Sequence, residues 1–159
     1  MDVPEALDFL LGSWTLERLI DDGLSGARWS FTGMATVVRG DPEEGTVPAS
    51  RARYAEEGEL RSGTQTSPAT RRLDCVRADD GAVTLYFCDG RRFVDLDLRS
   101  GSWRDVHLCG DDSYEVTTTV RSENLVEERW RVRGPAKHYV AVATLTRTRQ
   151  AHLRHRQPR

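Results

Sequence analysis

The chain has 159 residues, 38% hydrophobic and 30% charged, with a formal net charge of −2 at pH 7. One domain of this length hides roughly two-thirds of its unfolded surface, which excludes disulfide-stapled miniproteins, collagenous chains and wholesale disorder. A balance so near neutrality argues against nucleic acid as the main partner, and no window approaches the roughly 18 consecutive apolar residues of a membrane span.

Pro4-Glu-Ala-Leu-Asp-Phe-Leu-Leu11 sets apolar residues at 7, 10 and 11, with Phe9 beside them, behind a proline and acids suited to a helix start. One short helix ending at Gly12 is predicted. From Ser13 onward the pattern becomes that of antiparallel strands, in segments of about 6 to 12 residues that often alternate between apolar and polar. Ten strands are predicted, at 14–20, 27–39, 49–60, 64–77, 82–88, 91–99, 102–109, 113–121, 124–133 and 137–148. Between them lie turn sequences such as Asp21-Asp-Gly23, Asp79-Asp-Gly81, Asp89-Gly90 and Ser100-Gly101. Ten strands with no second helix to cover a sheet predict an all-β, up-and-down antiparallel barrel, because closure removes exposed edges. Residues 1–149 are assigned to this single domain. Residues 150–159 are read as a disordered basic tail, since Arg147 to Arg159 holds five arginines, two histidines and no acid.

Alternation also assigns faces. Trp29, Phe31, Gly33, Ala35 and Val37 share one side of the second strand, and Val126, Glu128, Trp130 and Val132 share one side of the ninth, so both sets are expected to point inward. Trp103, Asp105, His107 and Cys109 alternate along the seventh strand, with Tyr114 across the following turn. If that face is interior, an imidazole, a thiol and a phenol line one wall, a set suited to moving protons on an enclosed ligand. The opposite face carries Val106 and Leu108, so the parity of this strand stays open. Glu128 on an apolar face must pair or stay neutral, and Arg18, beside Trp14, Leu16 and Ile20, is its expected cation. The third strand adds Arg51, Arg53, Tyr54 and Glu56 with unsettled parity. The candidate catalytic residues are therefore His107, Glu128 and Tyr114. The candidate ligand contacts are Arg18, Trp29, Phe31, Tyr54, Phe93, Cys109 and Trp130. Lys137, the sole lysine, follows a Gly-Pro turn and is read as a rim charge.

Gly12-Ser-Trp14 after a short helix, with Arg147 on the last strand, resembles the arrangement of the calycin superfamily of lipocalins and fatty-acid-binding proteins. The resemblance implies that this Trp and the late Arg pack together to close one end of a barrel with an internal cavity. Phe9-Leu-Leu-Gly-Ser-Trp-Thr-Leu-Glu-Arg18, His107-Leu-Cys-Gly-Asp-Asp-Ser-Tyr114 and Trp130-Arg-Val-Arg-Gly-Pro-Ala-Lys-His-Tyr139 are similar to blocks of an uncharacterised bacterial family with a lipocalin-like barrel. That family brings no activity to transfer. A nitrobindin-like haem barrel is similar in size, but Thr15-Leu-Glu-Arg18 replaces its Gly-rich continuation, and His138 is the only late-strand histidine for the iron.

Three cysteines without a C-x-x-C spacing suit a reducing compartment, and the default location is cytoplasmic. No Gly-x-Gly-x-x-Gly, Gly-x-Ser-x-Gly or His-Glu-x-x-His occurs, so neither cofactor nor metal is expected. The functional expectation is a barrel, monomer or homodimer, that binds a small, largely hydrophobic metabolite with a polar headgroup. Cofactor-independent acid–base chemistry of isomerase or cyclase type follows from its titratable wall. A non-catalytic carrier or sensor is the first alternative, and a haem binder the second.

Overall fold

A computed structural model describes residues 3–40 and 50–149. The tail predicted at 150–159 lies outside the described residues. The chain forms helix α1 (Ala6–Leu10) and ten strands: β1 (Gly12–Asp22), β2 (Arg28–Arg39), β3 (Arg51–Ser62), β4 (Gln65–Arg77) and β5 (Val83–Tyr86), then β6 (Arg92–Leu96), β7 (Ser102–Cys109), β8 (Asp112–Ser122), β9 (Leu125–Gly134) and β10 (Lys137–Arg147). All pairings are antiparallel, in the order β6-β5-β4-β3-β2-β1-β10-β9-β8-β7. Every ladder except β1–β10 joins strands adjacent in sequence, and β1–β10 curls the meander into a nearly closed barrel. The predicted all-β architecture is the one observed.

One end is sealed by α1 and by the start of β1. Trp14, fully buried, donates its indole N–H to the Leu10 carbonyl at 2.9 Å. Arg147, its ladder partner on β10, lays its guanidinium 4.1 Å from the centre of the Trp14 ring. The same guanidinium donates to the carbonyls of Phe9 and Leu11 at 2.7 and 2.9 Å. It thereby ties the C-terminal groups of a five-residue helix that has no side-chain cap. The expected Trp–Arg closure is present, and below it Leu7, Leu16, Val126 and Ala143 fill the core.

Gly33 of β2 faces Gly58 of β3, and the two backbones approach closely there. A Cβ built on Gly33 would stand 2.2 Å from the Glu57 carbonyl oxygen, so only glycine permits this approach. The opposite side of the barrel closes differently. β6 and β7 form no backbone ladder, and side chains bridge them instead: Trp103 donates its indole N–H to the Asp95 carbonyl at 2.9 Å, and the Asp105 carboxylate accepts the Asp95 N–H at 2.7 Å. Two side chains thus take the positions of a missing ladder's donor and acceptor.

Candidate functional site

The strand registers build the site row by row. Leucine and valine rows fill the sealed half of the barrel; further along, the row Ile20–Ala141–Trp130–Val116 crosses four strands, followed by Tyr139–Val132–Tyr114–His107. Inward positions recur every second residue, so this second row, level with Asp22, lies about 27 Å along β1 from Trp14. Small Ala141 in a row of large side chains leaves space above it. There a cavity of about 440 Å³ opens to solvent, of the size that takes a small organic ligand. Its walls include Phe87, Phe93, Trp130, His107, Tyr114 and Tyr139, with Arg18, Arg71 and Arg91 as the charged members. Phe93 and Trp130 stack with ring centres 5.2 Å apart and planes within 5°, and Phe87 leans on Phe93 at 4.6 Å.

The inner face of β7 is the one bearing Trp103, Asp105, His107 and Cys109, which settles the parity left open by sequence. Its members divide their tasks. Trp103 and Asp105 are spent on the β6–β7 seam, while His107 and Cys109 line the cavity. His107 packs edge-on against Phe93 and Phe87, at 5.4 and 5.8 Å between ring centres, and lies 6.0 Å from the Tyr114 ring. Among the described residues it makes no hydrogen bond, so the imidazole is oriented by rings alone. Tyr114 accepts a hydrogen bond from Lys137 Nζ at 2.6 Å, and Asp112 holds the same ammonium at 3.2 Å. These contacts keep Lys137 protonated: the Tyr114 bond first and the Asp112 bond second raise it above the ordinary lysine range. Lys137 is exposed at the rim, as its turn position suggests.

At the cavity floor the structure corrects one pairing. Arg18 was expected to neutralise Glu128, yet its guanidinium grips Glu56 of β3 through two bonds of 2.7 and 3.1 Å. The reason lies in what separates the two: Glu56 is buried on β3, 4% exposed, and the intervening β2 puts small Gly33 and Ala35 beside it, so Arg18 reaches across. Arg71 of β4 donates a third bond at 2.9 Å and Tyr54 a fourth at 2.6 Å. Burial alone would push the Glu56 carboxyl up, but the Arg18 bonds and the charges of Arg71 and Arg18 outweigh it and bring it down to about 2. Burial, then the neighbouring Glu56 and Glu128, hold Tyr54 well above the ordinary phenol range. Glu128 lies close enough to act on Arg18 electrostatically and accepts the Trp130 indole N–H at 3.1 Å, but it is not among the cavity-lining residues.

The sequence candidates thus fall into two groups. Arg18, Phe93, His107, Cys109, Tyr114 and Trp130 converge on the cavity. Glu128 and Tyr54 do not line it, and Phe31 is core beneath the Arg18 guanidinium. Trp29 lines a separate recess with Leu19, Arg28 and Arg61, sharing only Ile20 with the cavity. Arg71, Arg91 and Tyr139 were missed. Tyr139 carried a readable signal, since it alternates with Ala141, Ala143 and Leu145; Arg71-Arg72 offered none, because adjacent arginines do not say which faces in. No group of three or more His, Cys, Asp or Glu placed to hold a metal occurs among the described residues.

Fold and site together define a small antiparallel barrel with a ring-lined cavity at one end. The chain belongs to the family of unknown function DUF6314, whose model matches residues 10–147. Its fold is similar to that of the S-type phycobiliprotein lyase CPES from Guillardia theta, with 11% identity over 95% of each chain and a TM-score of 0.56. A redesigned β-barrel, mFAP0, solved bound to DFHBI, aligns at 12% identity over 87% of this chain and 99% of its own, with a TM-score of 0.47. No curated protein matches the chain significantly in sequence. No helix among the described residues is long and apolar enough to cross a membrane.

Proposed function

We propose that the barrel encloses a small, largely apolar molecule with a polar group and moves a proton on it, as a cofactor-independent isomerase or cyclase does. The observation that carries this reading is the state of His107: an imidazole on the cavity wall, fixed by aromatic rings and spending neither ring nitrogen on the protein. A core histidine normally satisfies at least one nitrogen. One left open towards a cavity is available to a ligand, and imidazole is the side chain most often used for general acid–base work. Tyr114, its cross-strand partner, supplies a hydroxyl on the same wall, and Lys137 fixes that hydroxyl from outside. The fold does not choose between enzyme and carrier. The carrier reading rested on Arg18 and Tyr54 gripping a headgroup, and both are engaged by Glu56. The haem reading rested on His138, which is exposed next to inward Tyr139.

The test starts from protein purified from its own host. Native mass spectrometry against the denatured mass identifies a retained compound, which is then incubated in D2O with wild-type protein and with His107→Ala. Wild-type protein should exchange a carbon-bound proton for deuterium, and His107→Ala should slow that exchange about 100-fold or more while binding changes only a few-fold. Tight binding with no exchange by wild-type protein would make the barrel a carrier.

A further inference from the structure

We infer that the ligand is a flat aromatic or conjugated acid whose carboxylate is taken by Arg71. This deepens the proposed function and rests on the cavity being a ligand site. The cavity wall leaves hydrogen-bonding capacity unspent. Arg18 contributes charge but has both arms of its fork closed on Glu56. Arg71 gives Glu56 a single bond from one terminal nitrogen, its buried Nε has no partner, and a third of the side chain remains exposed on the cavity wall. A guanidinium has five N–H donors, so most of Arg71's are unused. Arg91 spends Nε on Asp89 and lies over the Phe87 ring at the mouth. Tyr139 makes no side-chain hydrogen bond among the described residues, and burial first, then the field of Tyr114, keeps its hydroxyl protonated and able to donate.

Every open polar group on this wall is therefore a donor or can become one. None of the nearby carboxylates lines the cavity, and each is already bonded: Glu56 to Arg18, Glu128 to Trp130, Asp112 to Lys137 and Asp89 to Arg91. A cavity that offers donors and withholds anionic acceptors selects an acidic guest. Glu56 shows the geometry such a guest needs, since its own carboxylate collects donors from two arginines and a tyrosine. Flatness follows from the walls. Six of the thirteen lining side chains are rings, and Ile20, Val132 and Ala141 sit among them in the same cross-strand rows. A cavity walled mainly by rings holds a planar body by stacking, where a flexible chain would lose its rotational freedom for less contact.

Calorimetric titration with three probes tests this: 2-naphthoate, its neutral isostere 2-naphthamide, and decanoate, an acid without a ring. Naphthoate should bind about tenfold or more tightly than either of the others, the difference expected of a charge-assisted bond. Arg71→Gln should bring naphthoate down to the level of naphthamide while leaving naphthamide within about twofold, because the ring contacts are untouched. Arg71→Lys, which keeps the charge and loses the fork, should fall between. Equal affinity for acid and amide, tightest binding of decanoate, or a parallel loss of both naphthyl probes in a folded Arg71→Gln would overturn the inference. Each of those outcomes leaves the cavity a binding site. Failure of all three probes to bind the folded wild-type protein would overturn the proposed function as well.

Discussion

Glu56→Ala should cost about 3–5 kcal/mol of folding stability, because it leaves two arginines facing a low-dielectric interior without their counter-charge. Glu56 is 4% exposed and its carboxylate receives four hydrogen bonds, so no water can take its place without rebuilding the floor of the cavity. Glu56→Gln is the sharper variant, since it preserves shape and removes only the charge. Its effect carries a pH signature. The folded-state carboxyl lies near 2, below its ordinary 4.5, so the stabilisation is complete above about 4.5 and is lost as pH falls towards 2. A shift of that size corresponds to on the order of 3 kcal/mol. Urea melts of wild-type and Glu56→Gln protein should differ widely at pH 7, differ by roughly half as much at pH 3, and converge only near pH 2 and below. A gap that stays constant across that range would show that Glu56 acts by packing alone.

Trp14→Ala should be comparably severe, at about 3–5 kcal/mol, and for a different reason. Trp14 is the largest fully buried side chain, and its removal leaves a void under α1 while depriving Arg147 of the ring it lies on. Trp14→Phe separates the two contributions. It keeps an aromatic face for the guanidinium and loses the 2.9 Å bond to the Leu10 carbonyl, which predicts a loss near 1 kcal/mol. Because Trp14 lies at the sealed end, the folded Trp14→Phe protein should bind cavity ligands as the wild type does. A stability loss confined to binding-competent protein, with affinity altered too, would mean that the two ends of the barrel communicate.

Much of the fold could be read in the sequence because antiparallel barrels write their period into it. Trp130 and Val132 against Arg131 and Arg133 give the face of β9 directly, and Ser100-Gly101 or Asp89-Gly90 mark where strands turn. The site was legible only where one strand carries its own pattern, as β7 does with His107 and Cys109. Pairings across the barrel were not. Arg18 meets Glu56 and not Glu128 because the registers of β1, β2 and β3 set it across small Gly33 and Ala35 from Glu56, and register is a property of paired strands that no single segment encodes. Asp105 likewise reads as a cavity acid from alternation, yet the incomplete β6–β7 contact claims it for backbone bonds.

That incomplete contact also says how the chain is wired. Since β1–β10 is the one ladder between strands far apart in sequence, and since Trp14 faces Arg147 across it, the two ends of the meander already lie side by side. Joining them by a short linker and opening the chain at Ser100-Gly101 would yield a permuted protein whose ten strands run β7 through β10 and then β1 through β6. Every ladder would then connect neighbours in sequence, and the same barrel would assemble with the lowest contact order its topology allows.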